Sequence, residues 1–261
     1  MLGQLTGLNL NPLLAAIKLT PKDKIVSVKE VGIADSNFII THLIKKIFQN
    51  NEKLCFVTFH NTLNHYQIVG KKLGYDLTGK VTSGDAVILD MLKLIEENIL
   101  NEDYGFVENT GAFIENLFRD IEQKTEVLAN SKSNQEHTYL VIDDLSHLLD
   151  LGISIEFIIR FITWCCNLKD DSISVIVNNH VSTYEANGDL LPKDIILSNS
   201  LSYISDLDIQ VSPLKTGRSN EVSGIITLAR PGEETTELHY KAYDRGIKTF
   251  NPGESLMNLL K

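Results

Sequence analysis

Short apolar runs of strand length alternate with amphipathic runs of helix length along the first 180 residues of this 261-residue chain. The first two apolar runs, 24–32 and 53–60, predict strands. Each is followed by a helical stripe, one beginning at Asp35 or Ser36 and the other ending at Gly74. Strands that alternate with helices form a parallel sheet with right-handed crossovers. The pattern therefore predicts an α/β fold with a mostly parallel central sheet flanked by helices.

The remaining elements continue this order and then change character. A short strand with a helix is predicted within 86–100, a helix at 111–130, a buried strand at 139–145, a helix at 154–167 and a strand at 172–180. Three short β runs follow at 206–214, 222–230 and 237–246. Turn-rich pieces separate these three runs, which is typical of antiparallel hairpins that extend one edge of a sheet. No shift in composition marks a boundary, so we predict a single domain over 1–261, with 1–20 as an N-terminal extension and 201–261 as its hairpin-rich part.

The charge, the apolar runs and the cysteines disfavour several classes of protein. Lys and Arg number 24 against 34 Asp and Glu, so the formal net charge of −10 repels a polyanion and disfavours nucleic-acid binding by the chain alone. No apolar run approaches the length that spans a bilayer, so no membrane association is expected. Three cysteines occur and none is spaced like a metal-binding pair, which is typical of a reduced, intracellular compartment.

The turn between the first strand and the first helix, VGIADSN, stands where a nucleotide-binding α/β domain carries its phosphate loop. Such a loop needs a second glycine, a lysine and a hydroxyl, and counting from Gly32 these positions are Asn37 followed by two apolar residues. Asp35 places a carboxylate at the helix N-terminus, where it satisfies the N–H groups that would hold an anion. We therefore interpret Gly32, Asp35, Ser36 and Asn37 as a degenerate phosphate loop that caps a helix.

The apolar strand at 139–145 ends in Asp143 and Asp144, the form of a Walker B segment, whose first acid holds the Mg²⁺ of a bound nucleotide. Without a phosphate-bound metal the pair has little reason to bind Mg²⁺ tightly, so two acids hydrogen-bonded at the sheet edge is the simpler interpretation. The second strand ends in His60 and Asn61, so the acid that would activate water is missing too. We predict no catalytic residue, no metal site and no cofactor, with packing or an interface contact as the role of His60.

Two segments carry a resemblance to a known family. Residues 53–74, which include HYQIVGKKLG, and residues 139–152, which include VIDDLSHLLDLG, are similar in order and spacing to the sixth subunit of the Elongator complex. That family is RecA-like and lacks intact Walker motifs, so the resemblance implies a single RecA-like domain. It covers most of the first 180 residues by pattern and the C-terminal third only by its hairpin-rich texture.

The resemblance implies a structural, non-catalytic role. Family members assemble with the fourth and fifth Elongator subunits, two copies of each, into a hetero-hexameric ring that joins the catalytic subunits, binds tRNA and supports carboxymethyl-type modification of the wobble uridine. The implied location is the cytoplasm, with the nucleus as a second one. Two other interpretations stay open: a weakly active RecA-like ATPase with an atypical nucleotide site, and a recombinase-like DNA-binding module, which the acidic charge disfavours.

Loops that follow the later strands are the places where a RecA-like ring would meet tRNA in its channel. Residues 181–199 carry one lysine among three acids, which is unfavourable for phosphate contact. Lys215 and Arg218 have no acid nearby until Glu221. We hypothesise that Lys215 and Arg218 make a weak tRNA contact, against the simpler interpretation of two solvated loop cations.

Overall fold

A computed structural model of the chain describes residues 11–101, 105–130, 137–168, 172–182, 192–215, 217, 219–244 and 246–254. Strands and helices alternate through most of these residues. The strands are β1 Ile25–Val31, β2 Lys53–Thr58, β3 Ala86–Asp90, β4 Thr138–Asp143, β5 Ile173–Val181, β6 Leu207–Ser212, β7 Gly224–Ala229, β8 Thr236–Tyr243 and β9 Gly246–Phe250. The helices are α1 Pro12–Ile17, α2 Asn37–Gln49, α3 Leu63–Leu73, α4 Leu77–Thr82, α5 Met91–Leu100, α6 Gly105–Glu108, α7 Thr110–Asn130, α8 His147–Asp150, α9 Ile155–Cys166 and α10 Lys193–Ile204.

The strands of the described residues form one sheet in the order β3-β2-β4-β5-β1-β6-β7-β8-β9. The six strands from β3 to β6 in this order are parallel to their neighbours. The last four, from β6 to β9, pair in antiparallel. The prediction of a mostly parallel sheet, extended at one edge by antiparallel hairpins, is confirmed.

The central parallel strands are buried on both faces of the sheet, as β4 illustrates. Tyr139 and Val141 belong to one apolar cluster, and Leu140 and Ile142 belong to the other. Helices α1 to α4 cover the first face, and α5, α7, α8, α9 and α10 cover the second. Every residue of β2 and β4 is buried, which explains why these strands read as continuous apolar runs in the sequence.

The order of the strands determines which loops meet. β5 lies between β1 and β4, and all three are parallel, so their carboxyl ends share one edge of the sheet. The turn after β1 and the acids at the end of β4 therefore lie at the same edge, on either side of the end of β5. Open parallel sheets bind their ligands at this kind of edge.

Five helices of the described residues were not predicted from the sequence, namely α1, α4, α6, α8 and α10, and the first four of these have six residues or fewer. Helix α4 spans six residues, too few to show a periodic pattern. Helix α10 begins at Lys193, so the second half of the segment 181–199, which we predicted to be a loop, is helical. The apolar residues of α10 do not gather on one face, which is why periodicity did not reveal it. Residues 183–191 of that segment lie outside the described residues.

The described part of the N-terminal extension packs on the domain that follows it. Asn11 accepts the N–H of Leu13 at 3.0 Å and so caps α1, whose Leu13 and Ile17 are buried. The helix contacts β9 at the antiparallel end of the sheet. No helix in the described residues is long and apolar enough to cross a membrane.

An ion pair joins this N-terminal segment to the end of β7. The Arg230 guanidinium donates to the carboxylate of Asp23, which is almost fully buried, and to the carbonyl oxygen of Ile17 at 3.3 Å. Asp23 also accepts the N–H of Thr20 at 2.8 Å. The contact therefore connects positions more than two hundred residues apart in the chain.

Exchange of Arg230 for alanine is expected to lower the free energy of unfolding by about 1.5–3 kcal/mol, because it leaves the buried Asp23 without its charged donor. The matched control is Arg119→Ala, which removes an exposed pair with Glu115 on α7 and is expected to cost less than about 0.5 kcal/mol. Equilibrium unfolding in urea measures both variants. Equal losses in the two variants would contradict the structural role of Arg230.

Candidate functional site

The turn after β1 is built as a helix cap. Gly32 has a φ of +63°, a left-handed conformation that suits glycine, and its N–H donates to the carbonyl oxygen of Val181 at 2.9 Å. The Asp35 carboxylate accepts the N–H of Asn37, the first residue of α2, at 2.8 Å. The helix terminus that a phosphate would need is therefore already occupied by a carboxylate of the chain itself.

Ser36 faces inward and is fully buried. Its N–H and its hydroxyl lie 2.7 Å and 3.0 Å from the same oxygen of Glu30, near the end of β1. The hydroxyl also lies 2.9 Å from the side-chain oxygen of Asn178 on β5. His180 contacts the other oxygen of Glu30 at 3.2 Å. Glu30 thus places a second carboxylate beside the turn, and no sequence motif pointed to it.

Asp143, at the end of β4, is fully buried and its two oxygens are both engaged. The amide nitrogen of Asn178 donates to one oxygen at 2.6 Å, and the Tyr66 hydroxyl donates to the other. Burial raises the pKa of Asp143 above its ordinary value, whereas these two hydrogen bonds act in the opposite direction. The acid at the Walker B position is therefore bound by neighbouring side chains of the protein.

Tyr66 on α3 lies directly beside Asp143. Its ring packs edge-on against Phe56 with the ring centroids 4.7 Å apart, and burial raises the pKa of its hydroxyl, so the hydroxyl stays protonated. The Asn37 amide donates to the Tyr66 hydroxyl at 3.3 Å, and its oxygen lies 3.2 Å from His65. Residues of the degenerate phosphate loop are thus tied directly to α3.

These contacts form one continuous set of side chains, which we call the polar network. Its members are Glu30, Ser36, Asn37, His65, Tyr66, Asp143 and Asn178. The network contains two carboxylates and no Lys or Arg side chain. A bound phosphate would be repelled by these carboxylates and would find no cation among the members. The arrangement stabilises the junction of α2 and α3 with three strands, β1, β4 and β5, and does not suit a nucleotide.

Asp144 follows Asp143 and lies just outside the polar network. One of its carboxylate oxygens accepts the N–H of Ser146 at 2.9 Å. Burial raises the pKa of Asp144 to about 7; the Ser146 hydrogen bond opposes this effect, and the charges of Asp143 and Glu30 add to it. The two acids at this sheet edge therefore have different hydrogen-bond donors: side chains donate to Asp143, whereas a backbone N–H donates to Asp144.

Lys215 lies apart from these residues, in the exposed loop after β6. Arg218 lies outside the described residues. The structure thus brings together the predicted residues Ser36, Asn37 and Asp143, and it leaves Lys215 at the antiparallel part of the sheet.

A family model described as Elongation complex protein 6 matches residues 8–245. The chain belongs to this family.

Named members of the Elongation complex protein 6 family match along most of their length. Elongator complex protein 6 of Mus musculus is 28% identical over 240 residues, with 85% of this chain and 88% of the mouse protein covered. The protein of the same name from Drosophila melanogaster is 28% identical over 239 residues, with 88% and 90% covered. The Dictyostelium discoideum protein is 23% identical over 327 residues, with 92% and 94% covered. The resemblance inferred from the two sequence segments is confirmed.

The fold of this Elongation complex protein 6 family member is similar to that of a protein whose structure has been solved. The crystal structure of a KaiC-like protein from Pyrococcus horikoshii OT3 superposes with a TM-score of 0.55 at 13% identity, covering 87% of this chain and 90% of that protein. The predicted RecA-like fold is therefore confirmed. At this identity the likeness concerns the fold alone.

Exchange of Tyr66 for phenylalanine is expected to lower the free energy of unfolding by about 1.5–3 kcal/mol, because the buried Asp143 loses a hydrogen-bond donor. Tyr75→Phe is the matched control. Tyr75 is also buried, and among the described residues its hydroxyl has no hydrogen-bond partner, so its removal is expected to be neutral or slightly stabilising. Urea unfolding compares the two. A Tyr66 variant as stable as the Tyr75 variant would mean that the hydroxyl does not stabilise the acid.

Proposed function

We propose that this chain is a non-catalytic structural subunit of the Elongator complex. It assembles with the fourth and fifth subunits, two copies of each, into a hetero-hexameric ring that contacts the catalytic subunits. The ring binds tRNA and supports carboxymethyl-type modification of the wobble uridine, in the cytoplasm and also in the nucleus. Membership of the Elongation complex protein 6 family supports the assignment to Elongator.

The polar network is the observation that carries the non-catalytic assignment. Asp143 stands where a nucleotide-binding relative would hold Mg²⁺, and both Asp143 and Ser36 of the degenerate phosphate loop are bound by side chains of the protein. A nucleotide would have to displace the Tyr66 hydroxyl from Asp143 and a carboxylate from the start of α2. The second candidate, a weakly active ATPase with an atypical site, gains no support from this arrangement.

Exposed apolar side chains support assembly into a ring. Ile33, in the turn after β1, is 82% exposed, and Tyr203, near the end of α10, is 90% exposed. Ile33 follows the carboxyl end of β1, whereas Tyr203 precedes the amino end of β6, which is parallel to β1. The two side chains therefore lie at opposite edges of the sheet. Head-to-tail packing in a ring buries one edge of a subunit against the opposite edge of the next.

Charge determines where tRNA binding is placed in this proposal. The net charge of −10 disfavours a tRNA site on the isolated chain, so the site belongs to the assembled ring. Lys215 is exposed in the loop between β6 and β7, and with Arg218 it provides this chain's share of the phosphate contacts.

Ring assembly is expected to weaken at least 10-fold in Ile33→Asp and in Tyr203→Asp, because each variant places a charge in an apolar interface. The control is Val127→Asp on the outer face of α7, where a 60% exposed apolar side chain is expected to tolerate the charge. The three subunits are co-expressed, and the mass of the purified complex is measured by analytical ultracentrifugation. The proposed packing would be contradicted if each of the two variants still formed a complete hexamer. It would also be contradicted if the unchanged chain stayed monomeric when co-expressed with the other two subunits.

Charge reversal of Lys215 and Arg218 together is expected to weaken tRNA binding by the reconstituted ring and to lower its salt dependence by about one unit of slope for each phosphate group that is no longer bound. Reversal of Lys22 and Lys93, two exposed lysines elsewhere in the chain, makes the same change in net charge and serves as the control. Both rings are first checked for complete assembly. Equal tRNA affinity in the two double variants would remove Lys215 and Arg218 from the site.

A further inference from the structure

Three side chains beside the polar network form a second group, which consists of two histidines and one aspartate. His60 follows β2, Asp144 follows β4, and His147 begins α8. Each offers one metal-binding atom, and these atoms lie within 4.8 Å of one another. We call this group the His-Asp-His cluster. It needs neither a nucleotide nor a partner subunit, so it is independent of the proposed ring function.

The backbone holds the three residues in place from two neighbouring strands. β2 and β4 are parallel, and Thr58 is paired with Asp143 in their register. The ladder continues beyond the strands, since the N–H of Phe59 donates to the carbonyl oxygen of Asp143 at 2.6 Å. His60 and Asp144 are the next residues on each side of this hydrogen bond. The convergence therefore results from the packing of β2 against β4.

The two imidazole rings already face each other through nitrogen atoms. Nδ1 of His60 lies 2.9 Å from Nε2 of His147, with the ring planes inclined by 25° and the centroids 5.2 Å apart. On its other side, Nδ1 of His147 lies 3.1 Å from a carboxylate oxygen of Asp150. A neutral imidazole carries one N–H, so donation from Nδ1 to Asp150 leaves the Nε2 lone pair directed at His60.

A carboxylate on the far nitrogen of a histidine is the contact that orients metal-binding histidines and raises their basicity. Asp144 is oriented as well, because its Oδ1 accepts the N–H of Ser146 at 2.9 Å, and the residue is only 5% exposed. His60 is exposed, so the cluster is open to solvent on one side. Two of the three candidate ligands are thus positioned by further contacts, and the third is free to adjust.

We propose that the His-Asp-His cluster binds a divalent transition-metal ion such as Zn²⁺, with Nδ1 of His60, Nε2 of His147 and the carboxylate of Asp144 as ligands. Two nitrogens on a tetrahedral Zn²⁺ lie about 3.4 Å apart for Zn–N bonds of about 2.1 Å. Metal binding replaces the present 2.9 Å contact between these nitrogens: the His60 N–H that faces the Nε2 lone pair of His147 moves to Nε2 of His60 by tautomer exchange through solvent, and the exposed His60 side chain rotates slightly outward. The fourth position faces solvent and takes water, as in zinc sites with three protein ligands.

The ligand chemistry selects the class of metal. Two imidazoles and one carboxylate suit Zn²⁺, Ni²⁺, Cu²⁺ or Fe²⁺, whereas Mg²⁺ and Ca²⁺ prefer oxygen ligands. The sequence pattern predicted no metal site, because His60 and His147 stand 87 positions apart in the chain and have no recognisable ligand spacing. The pairing of β2 with β4 is what brings the two histidines together.

The test measures Zn²⁺ binding by the full-length chain, purified without a histidine tag and stripped of metal with a chelator. Calorimetric titration is expected to give one Zn²⁺ per chain, and Mg²⁺ is expected to give no heat of binding. His60→Gln and His147→Gln are each expected to weaken Zn²⁺ binding by at least about 100-fold, and Asp150→Asn by about 10–100-fold, the range for contacts behind the ligands. The result for His60→Gln is the most informative of the three, because His60 is exposed and its exchange leaves the buried core unchanged.

His239→Gln is the matched control, since His239 is a half-buried histidine on β8, away from the cluster. It is expected to bind Zn²⁺ like the unchanged chain. Absorption of the Co²⁺-loaded chain is expected to lack a sulfur-to-metal band, which excludes binding through cysteine. Zn²⁺ is also expected to raise the melting temperature of the unchanged chain and of His239→Gln, but not of His60→Gln. Absence of Zn²⁺ uptake, or unchanged affinity in His60→Gln, would overturn the proposal.

Discussion

A carboxylate buried at the end of a central strand must be matched by hydrogen-bond donors, and Asp143 imposes this constraint on its surroundings. Asn178 donates from the neighbouring strand β5 and Tyr66 donates from α3, so the acid joins a strand of the sheet to a helix that packs on it. Ser36 then contacts Asn178, which brings the start of α2 into the same set. The contacts that satisfy one buried acid thereby determine how the helices meet the carboxyl edge of the sheet.

This solution has a consequence for function. In a nucleotide-binding protein the same edge leaves donors and a cation free for phosphate and Mg²⁺, whereas here the side chains bind one another. The fold can lose its nucleotide and keep its outer surfaces, because packing between subunits depends on shape and apolar area and not on the site. Ile33 and Ser36 illustrate this difference between the outer surface and the site. Ile33 is exposed on the turn after β1, whereas Ser36 of the same turn is buried and hydrogen-bonded to Glu30.

Two different groups of side chains lie at neighbouring strand ends along this edge of the sheet. Glu30, Ser36 and Asn178 lie at β1 and β5, where carboxylate, hydroxyl and amide groups bind each other. At the ends of β2 and β4 the side chains are two imidazoles and a second carboxylate. The metal-binding atoms of the latter group lie within 4.8 Å of one another, and His60 is exposed. The same sheet edge therefore carries both the polar network and the proposed metal site.

The sequence by itself determined the α/β class, the order of most strands and helices, and the lack of the lysine and hydroxyl of a phosphate loop in the turn at Gly32, because these depend on local periodicity and on the residues within one turn. It did not reveal α10, whose apolar residues do not follow one face, nor the roles of Glu30 and Tyr66. Only the tertiary structure decided that Tyr66 binds Asp143 and that His60 meets His147, since these pairs are 77 and 87 positions apart. Contacts at such separations arise from the order of strands in the sheet, and no local pattern records that order.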